Sequence, residues 1–343
     1  MRAASPRALR SGLLTAVVAT TVLALAGCSA GGDDAPAAEP DSQPVEGGAE
    51  LAALWPLTGE PVEGRTPDHP VTVVKIDNSA SSSPQVGLGK ADLVTEELVE
   101  GGITRLATFF YQQLPTQAGP VRSMRATDIG IVKPAHALLL ASGGAPPTVR
   151  RMADSLVEVR TEGEGPGWAR DGARRAPYNL MVNVRRAAEA EKDLAKVPAS
   201  YLPWGSADDV EGGRPAKAFD AVFSPAHTTS WRFDGTRYVN ENSYAAQGDR
   251  FNPDTVLVLR VQQGDAGYLD PAGYPVPESI YEGEGNAVLF HGGTMVRATW
   301  KKQTRQEPLQ LVTADGEELS VPAGRTWIEL LPRDADGGRL ALR

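Results

Sequence analysis

The sequence predicts an α+β fold, with a layered α/β N-terminal half followed by a mostly antiparallel β C-terminal half. Three observations lead there. Between residues 71 and 194, short β-branched or apolar runs alternate with stretches of helical spacing. Beyond Pro203 the apolar runs are strand-length and are separated by turn dipeptides. Hydrophobic residues make up 41% of the chain against 22% charged, which suits a packed body. The 343 residues leave room for two domains, expected at 65–203 and 204–343.

The first strand is Val71–Ile76, too short for a buried helix and closed by the turn chemistry of Asp77-Asn78-Ser79. Leu93–Glu100 and Ile103–Tyr111 flank Gly101-Gly102 and read as a hairpin with a two-residue turn. A helix through that glycine pair would cost about 2 kcal/mol in propensity. After Gly119-Pro120 a short helix is expected over Met124–Lys133, then the strand Ala137–Ala141 and a break at Gly143-Gly144. Pro146-Pro147 opens a helix reaching about Val159, with Val149, Met152, Ala153 and Leu156 on one face. A further helix runs from about Val182 to Leu194.

In the second half, strands are expected at Ala221–Ser224, Ser230–Phe233, Arg237–Asn240, Thr255–Val261, Ala287–Phe290, Met295–Trp300, Leu309–Thr313 and Arg325–Leu330. Asp234-Gly235, Gly292-Gly293 and Asp315-Gly316 supply turns between them. They would form a sandwich or barrel of their own, or a sheet packed on the first half.

Ahead of the body lies a leader. Arg2, Arg7 and Arg10 form a positive end, Leu13–Leu25 an apolar run shorter than a membrane span, and Leu25-Ala26-Gly27-Cys28 a lipobox-like cut site. Cys28 is the one cysteine of the chain and is expected to carry lipid as the mature N-terminus, with residues 1–28 as the signal segment. That anchoring predicts a location on the outer face of the cell membrane, away from nucleotide cofactors. Residues 29–64 contain eight acids and no Lys or Arg, and are expected to be a flexible acidic tether. The formal charge of −9 becomes −12 once the three leader arginines are removed, and −4 for the body from Arg65 onward. A body of that charge has no nucleic-acid surface.

Enzyme signatures are sparse. His69, His136, His227 and His291 lack zinc-ligand spacing, and the cysteine belongs to the lipid, so no metal or cofactor is implied. Gly163-Glu164-Gly165-Pro166-Gly167 lacks the lysine and hydroxyl of a phosphate loop. No Gly-x-Ser-x-Gly elbow occurs. What stands out is a density of arginines and carboxylates in the first half. Nine Lys/Arg and six Asp/Glu lie between Arg122 and Arg175, locally positive on an acidic protein. On a helix Arg122 and Arg125 would share a face. Guanidinium forks bind carboxylate or phosphate oxygens bidentately, and the same arginines could equally pair with Glu96, Glu100, Asp128 and Asp171 inside the fold.

These segments carry a resemblance. Val74-Lys75-Ile76-Asp77-Asn78, Pro84-Gln85-Val86-Gly87-Leu88, Ala91-Asp92-Leu93-Val94, Glu97–Arg105 and Gly119-Pro120-Val121-Arg122-Ser123 resemble the YerB-like bacterial lipoproteins. Arg170-Asp171, Ala176-Pro177-Tyr178-Asn179-Leu180, Gly283-Glu284-Gly285 and Gly324–Ile328 extend the match over Trp55–Pro332 in two family segments. The resemblance implies a lipid-anchored envelope protein and assigns no activity. Where the family often has histidines, this chain has Ala141 and Tyr178, which removes a general acid or base at those positions.

The candidate ligand-binding set is Asp77, Asp92, Glu100, Arg105, Arg122, Arg125, Arg170, Arg174 and Asn179. The reading that fits the missing enzyme motifs is a binding or assembly module, taking an anionic glycan, a lipid phosphate or an envelope protein partner. The alternative is an envelope transferase or hydrolase on phosphate-linked glycans, with Asp77, Asp92 or Asp128 holding a metal or acting as base. A purely structural scaffold is the third reading.

Overall fold

The computed structural model describes residues 53–210 and 212–343; the leader with Cys28, and residues 29–52 of the expected tether, lie outside the described residues. The rest of that tether belongs to the body. Leu57 and Thr58 are buried, and the Pro56 carbonyl accepts from Tyr201 N at 2.8 Å and Trp204 Nε1 at 3.0 Å. A side chain at Gly59 would meet the Trp204 ring at 2.5 Å. The tether expected up to Gly64 is thus corrected: Trp55-Pro56-Leu57 offers enough apolar surface to dock.

In the first half, β1 (Thr72–Asn78), β2 (Leu93–Leu98) and β3 (Thr104–Phe110) are followed by α1 (Asp128–Val132), β4 (Leu138–Ala141), α2 (Pro146–Asp154) and β5 (Val159–Thr161). Next come β6 (Trp168–Arg170), β7 (Leu180–Val182) and α3 (Val184–Ala190). The second half begins with β8 (Trp204–Gly205), β9 (Arg214–Pro215), β10 (Ala218–Ser224), β11 (His227–Phe233) and β12 (Tyr238–Asn240). It continues with β13 (Thr255–Leu269), β14 (Pro275–Ile280), β15 (Gly283–His291), β16 (Thr294–Lys302), β17 (Gln310–Val312), β18 (Val321–Pro322), β19 (Thr326–Pro332) and β20 (Arg339–Leu342). The fold is mixed α and β and mostly strand, as the sequence predicts at that level.

One twelve-stranded sheet runs β17-β16-β15-β13-β19-β2-β3-β1-β4-β5, with β14 on β13 and β9 on β16. A second sheet, β12-β11-β10-β20, has four strands. The second half therefore builds this four-stranded sheet by itself and places most of its other strands in the sheet it shares with the first half. β19 pairs in parallel with both β13 and β2, stitching the two halves edge to edge. A boundary at Pro203 divides the sequence, whereas Leu51–Arg343 forms one compact unit.

Strand alternation separates two cores. Val73, Leu93, Phe109, Leu139 and Ile328 point into one cluster, and Val74, Val94, Leu106, Leu138 and Trp327 into the other. Both faces of the central strands are covered, so β1 and β3 are buried along their whole length.

The helices are shorter than their apolar spacing predicts. Met124–Thr127 is not helical, because Asp128 Oδ2 takes the Arg125 N–H at 2.7 Å and starts α1 there. Pro134 then tightens the end into a 3₁₀ turn. Arg122 and Arg125 consequently share no helix face. α2 stops at Asp154, Leu156 adopts φ 52° with 81% of its surface exposed, and Val159 starts β5 beside β4. Of the expected apolar face, Met152 is buried while Val149 is exposed. The last helix loses Val182 to β7 and starts behind an Asn183 cap.

The β2–β3 hairpin forms, but its connection is Val99–Ile103 rather than two residues. Gly101 and Gly102 both have positive φ in a 3₁₀ turn that turns Glu100 toward two arginines. Gly292-Gly293 does make the expected two-residue turn, joining β15 to β16 with both residues at positive φ.

At the centre of the sheet, Lys75 Nζ lies 2.5 Å from Glu97 Oε1 on β2 and 2.8 Å from Asp128 Oδ1 on α1, all three side chains fully buried. Burial pushes the Glu97 carboxyl up and the Lys75 charge opposes it. Removing one partner of such a cluster leaves an uncompensated buried charge, at a cost of about 3–5 kcal/mol. Lys75→Met is expected to lose that much in urea unfolding at pH 7 and less near pH 4, where Glu97, raised by burial, is protonated. A loss under about 1 kcal/mol at pH 7 would show the cluster to be dispensable.

Candidate functional site

β1, β2, β4, β13 and β19 point the same way, with β3 opposed. Ligands of open α/β sheets bind beyond the carboxyl ends of the parallel strands. Here that end is where the charged residues gather, sorted by alternation into two groups.

The first group holds Asp77, Arg105, Glu100, Arg122 and Arg125. Arg105 sits opposite Asp77 and Glu97 across the sheet. It donates from Nη2 to Glu100 Oε1 at 2.9 Å and from Nη1 to Ser123 O at 2.8 Å. Arg125 grips the same carboxylate as a fork, Nε to Oε2 at 2.9 Å and Nη2 to Oε1, while Nη1 donates to Met124 O at 2.8 Å. Burial would raise Glu100, but the two guanidiniums outweigh it and hold the carboxyl down to about 2. Burial, then the neighbouring Arg125 charge, lowers Arg105 to about 10.

Arg122 differs. Its Nε lies 3.2 Å from buried Asp77 Oδ2, and its guanidinium carbon sits 5.1 Å from the centre of the Tyr178 ring. Its side chain is 20% exposed, and neither Nη1 nor Nη2 hydrogen-bonds to any described residue. Behind it, the Ser123 and Ser142 hydroxyls are 3.3 Å apart.

Arg174 fastens the Asp171–Tyr178 loop to the one that follows β1, donating to Pro84 O at 2.6 Å, Ser82 O at 3.2 Å and Asp171 Oδ2 at 3.1 Å. Between the two loops lies a cleft of about 450 Å³ lined by Ser81, Ser83, Asp171, Arg174, Arg175 and Tyr178. Tyr178 lines this cleft, and its ring is the one beside the Arg122 guanidinium. Arg170 and Asn179 pair with each other at 2.8 Å on the solvent side, where Arg170 also binds Glu162.

Asp92 stands apart. It precedes β2, at the opposite end of the sheet from Asp77, about five residues or roughly 17 Å along the strands. Its Oδ2 accepts from Tyr111 N at 2.6 Å and Gln112 N at 3.1 Å, and burial pushes its carboxyl up to about 7 despite those bonds. Asp128 is engaged by Lys75. The sequence-predicted set is therefore divided: Asp77, Glu100, Arg105, Arg122 and Arg125 meet, Arg174 borders them, Arg170 and Asn179 form an outer pair, and Asp92 lies elsewhere.

The second group, on the other face, was not anticipated. His227 Nε2 on β11 is 2.8 Å from Glu96 Oε1, 3.0 Å from Thr104 Oγ1 and 3.2 Å from Thr229 Oγ1, and Asn78 Nδ2 donates to the same Glu96 oxygen at 2.9 Å. Glu329 sits beside Glu96 in the strand register and accepts from Trp231 Nε1 at 2.7 Å. Burial would raise Glu96, but its contacts with His227 bring it below the usual range; Glu329, buried and facing the Glu96 charge, is pushed well above it. A charge inside an apolar strand, as in Trp327-Ile328-Glu329-Leu330-Leu331, was the signal in the sequence. No group of three or more His, Cys, Asp or Glu able to hold a metal ion occurs among the described residues.

This sheet, its stitched halves and its charged carboxyl end belong to a defined class. Residues 57–196 match the N-terminal domain and 219–328 the C-terminal domain of the family described as "Protein of unknown function (DUF3048)", and the chain is a member of that family. Within it, the chain is 25% identical over 303 residues to "Putative lipoprotein YerB" of Bacillus subtilis (strain 168), covering 83% of this chain and 88% of the relative. The crystal structure of the YerB protein from Bacillus subtilis has the same fold, with a TM-score of 0.69 at 21% identity over 84% of this chain and 99% of the other.

The Glu96–Glu329 pair has a pH signature. A carboxyl whose folded-state pKa is raised stabilises the fold below its unfolded value and loses that contribution as pH rises. Glu96 acts in the opposite sense, contributing above its unfolded value and losing that contribution as pH falls. Glu329→Gln keeps an acceptor for Trp231 and a donor for Glu96 while removing the penalty of ionisation. The melting temperature of this variant minus that of the wild type is expected to grow by about 2 °C or more between pH 4.5 and pH 8. A difference that stays constant over this range would mean that Glu329 is not held protonated.

Proposed function

We propose that this protein is a lipoprotein held to the outer face of the cell membrane through Cys28, and that its body is a binding or assembly module for an anionic cell-envelope ligand. Support for the anchor comes from the leader, with its arginines, apolar run and Leu25-Ala26-Gly27-Cys28 ending, and from the name borne by the Bacillus subtilis relative. No described helix is long and apolar enough to cross a membrane.

Arg122 carries the binding reading. Arg105, Arg125, Arg170 and Arg174 each spend both terminal nitrogens on carboxylate, amide or carbonyl oxygens, which makes them structural. Arg122 alone of the five keeps both terminal nitrogens without a partner among the described residues, while Asp77 and Tyr178 hold it in position. A preorganised guanidinium edge beside a cleft of serines and arginines fits phosphate or carboxylate oxygens. The transferase or hydrolase reading would rest on Asp77, Asp92 or Asp128; Asp128 is engaged by Lys75 and Asp92 lies at the other end of the sheet, which leaves Asp77, paired with Arg122.

Arg122→Ala is expected to weaken binding of inorganic pyrophosphate, and of a phosphate-bearing wall glycan, by about ten- to a hundredfold. Because Arg122→Ala also takes the cation from buried Asp77 and is expected to lower the melting temperature, its affinity is compared with that of Arg122→Lys, which keeps a charge for Asp77 but loses the guanidinium fork. Unchanged affinity would remove Arg122 from the site. For the anchor, Cys28→Ser is expected to move the protein from the membrane fraction to the soluble one; retention in membranes would point to another means of attachment.

A further inference from the structure

Asp92, set apart from the Arg122 site, lies where three neighbouring strands begin. It precedes β2, Asp254 precedes β13 and Arg325 precedes β19. With Glu60 from the docked N-terminal segment, Lys90 and Arg237, these residues line a cavity of about 130 Å³ between the two halves of the chain. Asp92 is only 5% exposed. Its Oδ2 takes the Tyr111 and Gln112 N–H groups, whereas Oδ1 has no hydrogen-bond partner among the described residues.

Part of the charge around this cavity is already committed. The Arg325 guanidinium lies 4.1 Å from the centre of the Phe251 ring and donates to Ala91 O at 3.1 Å and Gly89 O at 3.2 Å. Asp254 accepts from Arg237 Nε at 3.0 Å and from the Arg325 backbone N–H at 2.9 Å. What is left over has both signs. Neither Asp92 nor Glu60 forms an ion pair among the described residues, and neither Lys90 Nζ nor the terminal nitrogens of Arg237 have an acceptor there.

We propose that this cavity binds a small zwitterion, a free α-amino acid no larger than glycine or alanine, with its ammonium on Asp92 and Glu60 and its carboxylate on Arg237 and Lys90. An anion alone would face the buried Asp92 oxygen, and an amine alone would leave the two cationic side chains unmatched; a zwitterion answers both without bringing net charge into the site. A metal ion would need more carboxylate ligands than the described residues bring together. The size limit follows from the volume, which is that of about four waters. An ammonium at Oδ1 would also relieve the burial that pushes the Asp92 carboxyl up to about 7.

The test is saturation-transfer NMR of glycine and alanine with the full lipidated chain in nanodiscs, against empty nanodiscs. Saturable binding is expected, with ethylamine and acetate at least about tenfold weaker than glycine as competitors. Asp92→Asn keeps an acceptor for Tyr111 and Gln112 and should weaken glycine by about tenfold or more. Arg237→Gln, at a position 46% exposed, tests the other end without touching a buried group: glycine should fall to the affinity of ethylamine, which itself stays unchanged. No saturable binding of either amino acid, ethylamine competing as well as glycine, or a glycine affinity unaltered in Arg237→Gln each overturns the zwitterion site.

Discussion

An ammonium group with no exposed surface stands in the middle of this sheet, and much of the carboxyl end is arranged around it. Lys75 is tolerable there only because Glu97 reaches it from β2 and Asp128 from α1. Asp128 does this with one oxygen while its other holds the Arg125 backbone N–H. The cluster therefore fixes where α1 starts and how the segment before it runs. That segment carries Arg122, Ser123 and Arg125, so the position of the candidate site follows from the neutralisation of a buried charge.

The strands were legible because they are short, β-branched and marked by turn residues. Thr72–Asn78 and the β15–β16 turn at Gly292-Gly293 follow directly from local chemistry. The helices were overread: the apolar spacing at Val149, Met152 and Leu156 continues past the point where Leu156 turns left-handed and the chain enters β5. Periodicity records which residues could share a face, and tertiary pairing decides where the face ends. The shared sheet was not legible at all, since the partners of β19 lie about 70 and 230 residues away and no local signal encodes them.

The site divides along the same line. A high density of arginines and carboxylates is visible in the sequence, but which of them neutralise one another is a property of register and burial. Arg105 and Arg125 converge on Glu100 because a five-residue connection turns that carboxylate back over β3. Arg122 meets a single carboxylate oxygen and an aromatic face, so its outer edge is left for something else. Lys75 and Glu329 went unnoticed because a lone charge within an apolar strand looks like solvent-facing alternation until both faces prove to be covered.

The insertion of β19 between β13 and β2 has a temporal side. Until residues 326–332 exist, β2 has no neighbour on that flank, and the first half of the chain presents an unpaired strand edge. Native pairing between segments more than 200 residues apart is slow, because a large loop must close before any contact rewards it. A chain built this way completes its central sheet only after residues 326–332 have been made, so the closing of that sheet follows synthesis rather than accompanying it.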